Sequence, residues 1–324
     1  MFVIDVSLFF DSLLIFCLAF VFDLVFGELP DSIHPTWWMG KVIAYLKPKI
    51  ASENSRVEKM SGVLLGIFVI MLFAVPVYFM IFLVREFLGW IPYIVVSAFM
   101  LYTAIAIKCM RQYTLPIAES VENQDYEKVK KLLPFIVRRD PNGLNKRHII
   151  SAAVETIAEG TTDGITSPFF YFALFGVPGA IAFRVINTLD SMVGYKDQEH
   201  VNIGWFSAKM DTIANYIPAR LTAILMVLAA LLLKENWRKS WRILQRDKKN
   251  TESLNAGWTL SAMAGTLSIQ LEKPGFYRIG DNADVSSTHI IRALRVMLLT
   301  AILFSIFIIL PILVMKTLII IFLR

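Results

Sequence analysis

Three carboxylate side chains recur at four-residue spacing in the middle of the chain, at Glu155, Glu159 and Asp163. On an α-helix this spacing places them along one face, one turn apart. Like charges held this close persist when they are solvated, protonated or bridged by a cation, and Mg²⁺ binds through one or two carboxylates. The pattern therefore indicates either a magnesium site or a solvated helix face.

A second polar cluster continues out of an apolar segment, at Arg184, Asn187, Asp190 and Ser191. These residues recur at helical spacing, and Gly194 follows where the chain can turn. Ionisable side chains at membrane depth are costly and usually face a cavity or each other. The stripe is typical of a polar site inside a bundle, and the alternative is a structural ion pair between Arg184 and Asp190.

A third cluster contains Trp205, Lys209, Asp211, Asn215, Pro218 and Arg220. Asp211 and Asn215 share a helix face. Arg220 lies inside the next apolar run, where a guanidinium needs an acidic partner or a phosphate. The small-residue stretch after Asn255, which includes Gly257, suits close packing or the approach of a ligand to the backbone.

The elements that must position these groups are apolar helices, because 56% of the 324 residues are hydrophobic and only 18% are charged. Crossing about 30 Å of hydrocarbon takes roughly 20 helical residues, and in lipid every backbone polar group must be paired internally. We therefore predict an all-α polytopic membrane helix bundle. The predicted spans are residues 6–26, 62–84, 88–107, 168–186, 217–233 and 296–315.

The net charge of +6 reports orientation in the membrane, not nucleic-acid binding. Lysine and arginine concentrate in loops that would share the cytoplasmic face, so 108–150 and 234–295 are predicted cytoplasmic insertions of one membrane domain, residues 1–324. Each insertion contains a predicted amphipathic helix, the second a basic one at 234–249. We expect a multi-pass protein of the cell membrane, with segment 187–216 re-entrant and the site open to the cytoplasm.

These clusters, in this order, resemble the CbiB/CobD family of cobalamin biosynthesis, the membrane-bound adenosylcobinamide-phosphate synthases. The longest matching runs are N-T-L-D-S-M-V-G-Y at 187–195 and N-Y-I-P-A-R-L-T at 215–222, and the resemblance extends from about residue 20 to 295. The sequence departs from the family pattern after Gly265, where 271–277 replaces an expected glycine-rich run.

The resemblance implies an ATP-dependent amide ligation. A propionate carboxylate of adenosylcobyric acid would be joined to the amine of aminopropanol phosphate, or of aminopropanol, to give the cobinamide form. Mg²⁺ would be the cofactor and ATP a co-substrate. The implied partners are the corrinoid, the amine, the lipid bilayer and other late cobalamin-synthesis enzymes.

Roles for individual residues also follow from the resemblance, with Asp211 or His34 taking the amine's proton. The implied metal ligands are Glu155, Glu159 and Asp163. The implied catalytic residues are Asp190, Asp211, His34, Arg184, Arg220 and Lys196. The implied cofactor- and substrate-binding residues are Asn187, Ser191, Tyr195, Asn215, Asn255 and Gly257.

Two other functions fit the residues alone. Charged residues within apolar segments, and a broken helix near Pro168 and Gly176, are also typical of a transporter, although no inverted repeat is visible. A membrane scaffold for late cobalamin-synthesis enzymes is the third interpretation, with the basic helix 234–249 as its docking surface. Neither alternative predicts ATP turnover that depends on cobyric acid.

Overall fold

The computed structural model describes residues 2–137, 143–195 and 197–323, with side chains from residue 7 onward. Its helices are α1 (Phe2–Phe26), α2 (Pro35–Ile50), α3 (Ser55–Leu83), α4 (Trp90–Tyr102), α5 (Ile107–Glu122), α6 (Tyr126–Leu132), α7 (Lys146–Thr161), α8 (Ser167–Val193), α9 (Trp205–Ala214), α10 (Tyr216–Leu232), α11 (Trp237–Asp247), α12 (Ala256–Leu267), α13 (Thr288–Phe304) and α14 (Leu310–Phe322). Five-residue π-helical turns lie at Val84–Leu88, Thr162–Thr166 and Ser305–Ile309. The strands β1 (Gln270–Lys273) and β2 (Tyr277–Gly280) form an antiparallel hairpin.

Several helical runs are long and apolar enough to cross a membrane. Among the described residues there are five, at Ser7–Phe26, Ser55–Leu88, Trp90–Glu122, Lys146–Val193 and Thr288–Phe322. Helices α9 and α10 would add a sixth if they cross as one span. This architecture confirms the prediction of an all-α polytopic membrane bundle.

Helix α3 shows the lipid-facing character of these segments most clearly. Its side chains Leu64, Phe68 and Met71 are each more than half exposed. Soluble proteins rarely expose contiguous apolar surface of this kind, whereas a helix in lipid does so without cost. The asparagine before the helix, Asn54, accepts hydrogen bonds from the first-turn N–H groups of Arg56 and Val57 and so defines its start.

The chain divides into two compact units, of which the first comprises residues 1–105, 167–214 and 307–324. In this unit α8 is central, because it packs against α2, α3, α4, α9 and α14. Helix α8 is broken at Gly176, whose φ of 72° lies outside the helical region, and Pro178 follows. The sequence-based prediction of a break near Gly176 is therefore confirmed.

The second unit comprises residues 106–166 and 215–306. Helix α12 lies at its centre and contacts α7, α10, α11 and α13. The hairpin packs on α7 and α12, with the paired residues Leu271 and Ile279 fully buried. These two strands were not predicted from the sequence.

Both predicted amphipathic helices are present. Helix α6 begins after Asp125, which accepts a hydrogen bond from the Lys128 N–H at 3.0 Å. Helix α11 lies within the predicted range 234–249 and buries Ile243 and Leu244 on its inner face, while Trp241 is exposed. The arrangement of the chain as one membrane domain with two cytoplasmic insertions stays a prediction.

Candidate functional site

In the first unit, α8 and α9 bring together polar residues that are far apart in sequence. The Asn187 side-chain amide on α8 donates a hydrogen bond to the Asp211 carboxylate on α9, at 3.3 Å. Asp190 lies one turn further along α8, and its carboxyl group senses the negative charge of Asp211. Two predicted catalytic residues and one predicted binding residue therefore converge, and we call these three the carboxylate cluster.

The end of α8 is shaped to leave room for the Asp190 side chain. The chain leaves the helix at Gly194, whose N–H donates to the Asp190 carbonyl oxygen at 2.8 Å. A side chain at position 194 would collide with the Asp190 carboxylate and with that carbonyl oxygen. Glycine is therefore favoured here for steric reasons, because it leaves free the space that the Asp190 carboxylate occupies.

A pocket of about 240 Å³ opens beside this turn. Its lining includes Gly194, Tyr195, Gly204, Trp205, Lys209 and Thr212. Helix α9 contributes one face to the pocket and directs Asp211 from another face toward α8. The pocket therefore offers an aromatic ring and an ammonium group close in sequence to the carboxylate cluster. Trp205 and Lys209 belong to the third polar cluster of the sequence, but neither was predicted to have a site role.

His34 and Arg184 are electrostatically coupled in the same unit. Burial lowers the pKa of His34, and the positive charge of Arg184 lowers it further, against smaller opposing effects of Glu28 and Asp31. The His34 Nδ1 accepts a hydrogen bond from the Thr36 N–H at 3.1 Å, which caps α2. A neutral imidazole whose Nδ1 accepts carries its proton on Nε2. In this tautomer the Nε2–H group of His34 is a hydrogen-bond donor, and the predicted role of His34 as a base stays a prediction.

Ser191 and Tyr195 bond to the backbone of α8. The Ser191 hydroxyl donates to the Asn187 carbonyl oxygen at 2.9 Å, and the Tyr195 hydroxyl donates to the Ser191 carbonyl oxygen at 2.5 Å. Tyr195 also lines the pocket. The predicted catalytic residue Lys196 lies outside the described residues.

In the second unit, Glu155 is 3% exposed and has both carboxylate oxygens engaged. The Ser151 hydroxyl donates to Oε1 at 2.5 Å, and the Tyr277 hydroxyl on β2 donates to Oε2 at 2.7 Å. Ser151 also accepts a hydrogen bond from the Glu272 N–H on β1, at 2.7 Å. Glu155 therefore joins α7 to the hairpin. From the sequence, Tyr277 was noted only as part of a polar cluster at 277–281 without a role, and Ser151 was not singled out.

The predicted metal ligands do not form a three-carboxylate group. The four-residue spacing assumed an α-helix through Asp163, but α7 ends at Thr161 and a π-helical turn follows, which changes the direction of the next side chains. Within the described part of the chain, no group of three or more His, Cys, Asp or Glu side chains is arranged to hold a metal ion. The metal role of Glu155, Glu159 and Asp163 stays a prediction.

The carboxylate cluster provides a simpler set of magnesium ligands. Mg²⁺ takes one or two protein carboxylates and completes its shell with water and substrate phosphates. Asp190 supplies one such carboxylate, and a divalent cation bound there would also offset the charge of the neighbouring Asp211. The residues present in the first unit therefore fit such an ion.

The remaining predicted residues lie at the junction of α10 and α12 in the second unit. The Arg220 guanidinium donates to the Asn255 side-chain oxygen at 2.6 Å. Asn215 is buried just before α10, and its carbonyl oxygen accepts from the Ala219 N–H at 3.0 Å. A side chain at Gly257 would collide with the Lys248 carbonyl oxygen, so this glycine is explained by packing.

Comparisons with known proteins give a consistent result. The family model described as CobD/Cbib protein matches residues 16–317. The probable cobalamin biosynthesis protein CobD of Methanothermobacter thermautotrophicus is 43% identical over 289 residues, which cover 89% of this chain and 94% of that protein. The cobalamin biosynthesis protein CobD of Klebsiella pneumoniae is 35% identical over 88% of this chain and 93% of its own length. No solved structure matches the chain significantly.

Proposed function

We propose that this chain, which belongs to the CobD/CbiB family and acts in cobalamin biosynthesis, is an ATP-dependent carbon–nitrogen ligase. The reaction joins a propionate carboxylate of adenosylcobyric acid to the amine of aminopropanol phosphate or aminopropanol. The observation that supports it best is the carboxylate cluster, in which Asn187 binds Asp211 beside Asp190. A fixed carboxylate next to a pocket provides both a base and a place for the substrates.

The chemistry needs an activated acyl group, because a carboxylate is a poor electrophile. A propionate oxygen attacks the γ-phosphorus of ATP, and ADP leaves. The amine nitrogen then attacks the acyl carbon of the resulting acyl phosphate, the C–O bond breaks, and inorganic phosphate leaves with the original propionate oxygen. The amine loses one proton to a base, which completes the balance.

Asp211 is the better candidate for that base. General bases contribute about 10²- to 10⁴-fold to rate when they are held within reach of the proton. The Asn187 amide fixes the orientation of the Asp211 carboxylate, whereas the capping bond of His34 leaves its Nε2 as a donor. His34 then suits an anionic substrate oxygen, together with the cation of Arg184.

A magnesium ion would be held by Asp190 with Asp211 nearby, and when bound it supplies charge neutralisation for phosphate oxygens. The pocket residues Lys209 and Trp205 complete the site. Lys209 would attract the propionate or a phosphate, and the Trp205 ring would contact the apolar face of the corrinoid.

The second unit has a supporting role in this proposal. Glu155 holds α7 to the hairpin through two hydroxyl groups, which favours a structural function over metal binding. We further propose that the protein lies in the cell membrane and that its site opens to the cytoplasm, where ATP is available. The physiological amine is aminopropanol phosphate or aminopropanol.

The test uses the full chain purified in a neutral detergent. The protein is incubated with Mg²⁺, ATP, adenosylcobyric acid and aminopropanol phosphate, and the corrinoid is analysed by mass spectrometry. We expect adenosylcobinamide phosphate and one ADP for each amide formed. Omission of ATP or of the amine should leave the corrinoid mass unchanged.

The alternatives predict different results in the same assay. A scaffold or a transporter would leave adenosylcobyric acid chemically unchanged in every mixture, and that outcome with folded protein would overturn the proposal. Aminopropanol in place of its phosphate identifies the preferred amine through the ratio of the two kcat/KM values.

A further inference from the structure

The guanidinium of Arg220 is held in one orientation by neutral acceptors. Its Nη1 donates to the Tyr216 carbonyl oxygen at 2.7 Å and to the Asn255 side-chain oxygen at 2.6 Å. Its Nη2 donates to the Leu254 carbonyl oxygen at 3.3 Å. None of these partners carries a negative charge, so they fix the group in place without neutralising it.

Arg220 retains donors for a further partner. A guanidinium has five N–H donors in a rigid fork, and the three hydrogen bonds leave Nε–H and one Nη2–H. Within the described ranges, Arg220 forms no ion pair with an acidic side chain. Two adjacent N–H groups of one guanidinium are the usual bidentate partner of a phosphate or carboxylate.

A second cation lies at the same aromatic ring. The Arg220 Cζ is 5.1 Å from the centroid of the Trp258 ring, and the Lys248 Nζ is 4.7 Å from it. The Lys248 ammonium donates to the neutral Gln245 side chain at 2.8 Å. Two positive charges therefore gather around one indole, and the repulsion between them favours a bound anion.

We propose that Arg220, Lys248 and Trp258 form an anion subsite that binds a phosphate group. The Arg220 fork contacts two phosphate oxygens, the Lys248 ammonium contributes charge, and the indole supports both cations. This deepens the proposed function, on which it rests for its soluble ligand, a phosphate ester. A phospholipid headgroup offers the same chemistry from the membrane, and the experiment separates these two sources.

The direct test is equilibrium binding of inorganic pyrophosphate to the full chain in neutral detergent without divalent ions, measured by calorimetry. We expect Lys248→Gln and Arg220→Lys each to raise the Kd about tenfold, the cost of one charge-assisted hydrogen bond. Lys248→Arg should restore the affinity. The matched control is Lys249→Gln, which removes an adjacent exposed cation and should leave the Kd unchanged.

Two results would overturn the anion subsite. One is a wild-type protein that binds no pyrophosphate, and the other is a Lys248→Gln protein whose Kd equals that of Lys249→Gln. Thermal unfolding of each variant identifies a loss of affinity caused by misfolding. Restored binding in Lys248→Arg then excludes a purely structural role for Lys248.

Nanodiscs separate the two sources of phosphate. If a phospholipid headgroup occupies the anion subsite, the affinity for pyrophosphate should be lower in phosphatidylglycerol nanodiscs than in phosphatidylcholine nanodiscs. Lys248→Gln should abolish that difference. Equal affinity in both assigns it to a soluble ester. Because no turnover is involved, failure of the subsite would leave the ligation assay unaffected, and failure of ligation would leave the binding result intact.

Discussion

The two units hold their carboxylates in opposite ways. In the first unit, the carboxyl groups of Asp190 and Asp211 interact electrostatically. The Asn187 side-chain amide donates a hydrogen bond to Asp211 and orients its carboxylate. In the second, the oxygens of Glu155 accept from the hydroxyls of Ser151 and Tyr277. The first arrangement places two carboxylates near each other, whereas in the second two hydroxyl groups donate to one carboxylate.

This difference distinguishes carboxylates that are suited to a reaction from a carboxylate that joins structural elements. Titratable groups whose charges repel are costly to hold together, and they are common where a protein binds a cation or moves a proton. A carboxylate that is fully hydrogen-bonded between two elements mainly joins them. The sequence presents both sets as acidic residues in apolar surroundings, so only their partners distinguish them.

The largest effect should come from Asp211→Asn. This change keeps the shape of the side chain and its place beside Asn187 but removes the base, so we expect kcat for ligation to fall about a thousandfold. Product is measured by mass spectrometry with protein of unchanged melting temperature. The matched control is Glu127→Gln, which alters an exposed carboxylate on α6 and should keep full activity. Equal activity of both variants would remove Asp211 from the mechanism.

A smaller loss is expected for Asn187→Asp. The new carboxylate would replace a donor by a third negative charge next to Asp190 and Asp211, so kcat/KM should fall on the order of tenfold to a hundredfold. Asn187→Ser, which removes the amide without adding charge, should lose less. The reverse order for these two variants would contradict the electrostatic reason.

Tyr277→Phe should affect stability and not chemistry. It removes one donor to the buried Glu155 and keeps the ring, so the free energy of unfolding should fall by about 1–3 kcal/mol. Thermal unfolding in detergent measures this, with the partly exposed Tyr126→Phe as the control. A large loss of kcat at an unchanged melting temperature would instead make Glu155 part of the reaction.

The smallest effect concerns the pH dependence of stability at His34. Its pKa is lowered in the folded protein, so the unfolded chain binds the proton more readily, near its ordinary pKa of about 6.5. The contribution of neutral His34 to the free energy of unfolding is therefore fully present above about pH 6.5, the pKa in the unfolded chain. It is lost as the pH falls through the lowered pKa of the folded protein. The stability difference between wild type and His34→Gln should shrink from pH 7.5 to pH 5. If this stability difference instead grew as the pH was lowered, the pKa of His34 would be raised in the folded protein, which would contradict the prediction.

The helices could be predicted from the sequence because their signals are local. Long apolar runs specify α3 and α13, and Asp125 before a charged amphipathic stretch specifies α6. The clustering of Asn187 with Asp190 followed from helical spacing. Each of these inferences needs only neighbours within a few turns of the chain.

The rest depended on contacts between distant residues. The strands of the hairpin have four residues each, too few for alternation to be recognised, and only Leu271 and Ile279 are fully buried. Tyr277 reaches Glu155 across 122 positions, a distance at which no local pattern operates. The π-helical turn after Thr161 also has no reliable sequence signal, and it changes the direction of Asp163.

The most direct measurement follows an oxygen atom. Adenosylcobyric acid labelled with ¹⁸O in its free propionate is supplied with Mg²⁺, ATP and aminopropanol phosphate, and the released inorganic phosphate is analysed by mass spectrometry. ATP-dependent ligation through an acyl phosphate predicts one ¹⁸O atom in that phosphate for each amide formed. Amide formation with unlabelled phosphate, or phosphate release without amide, would contradict the account.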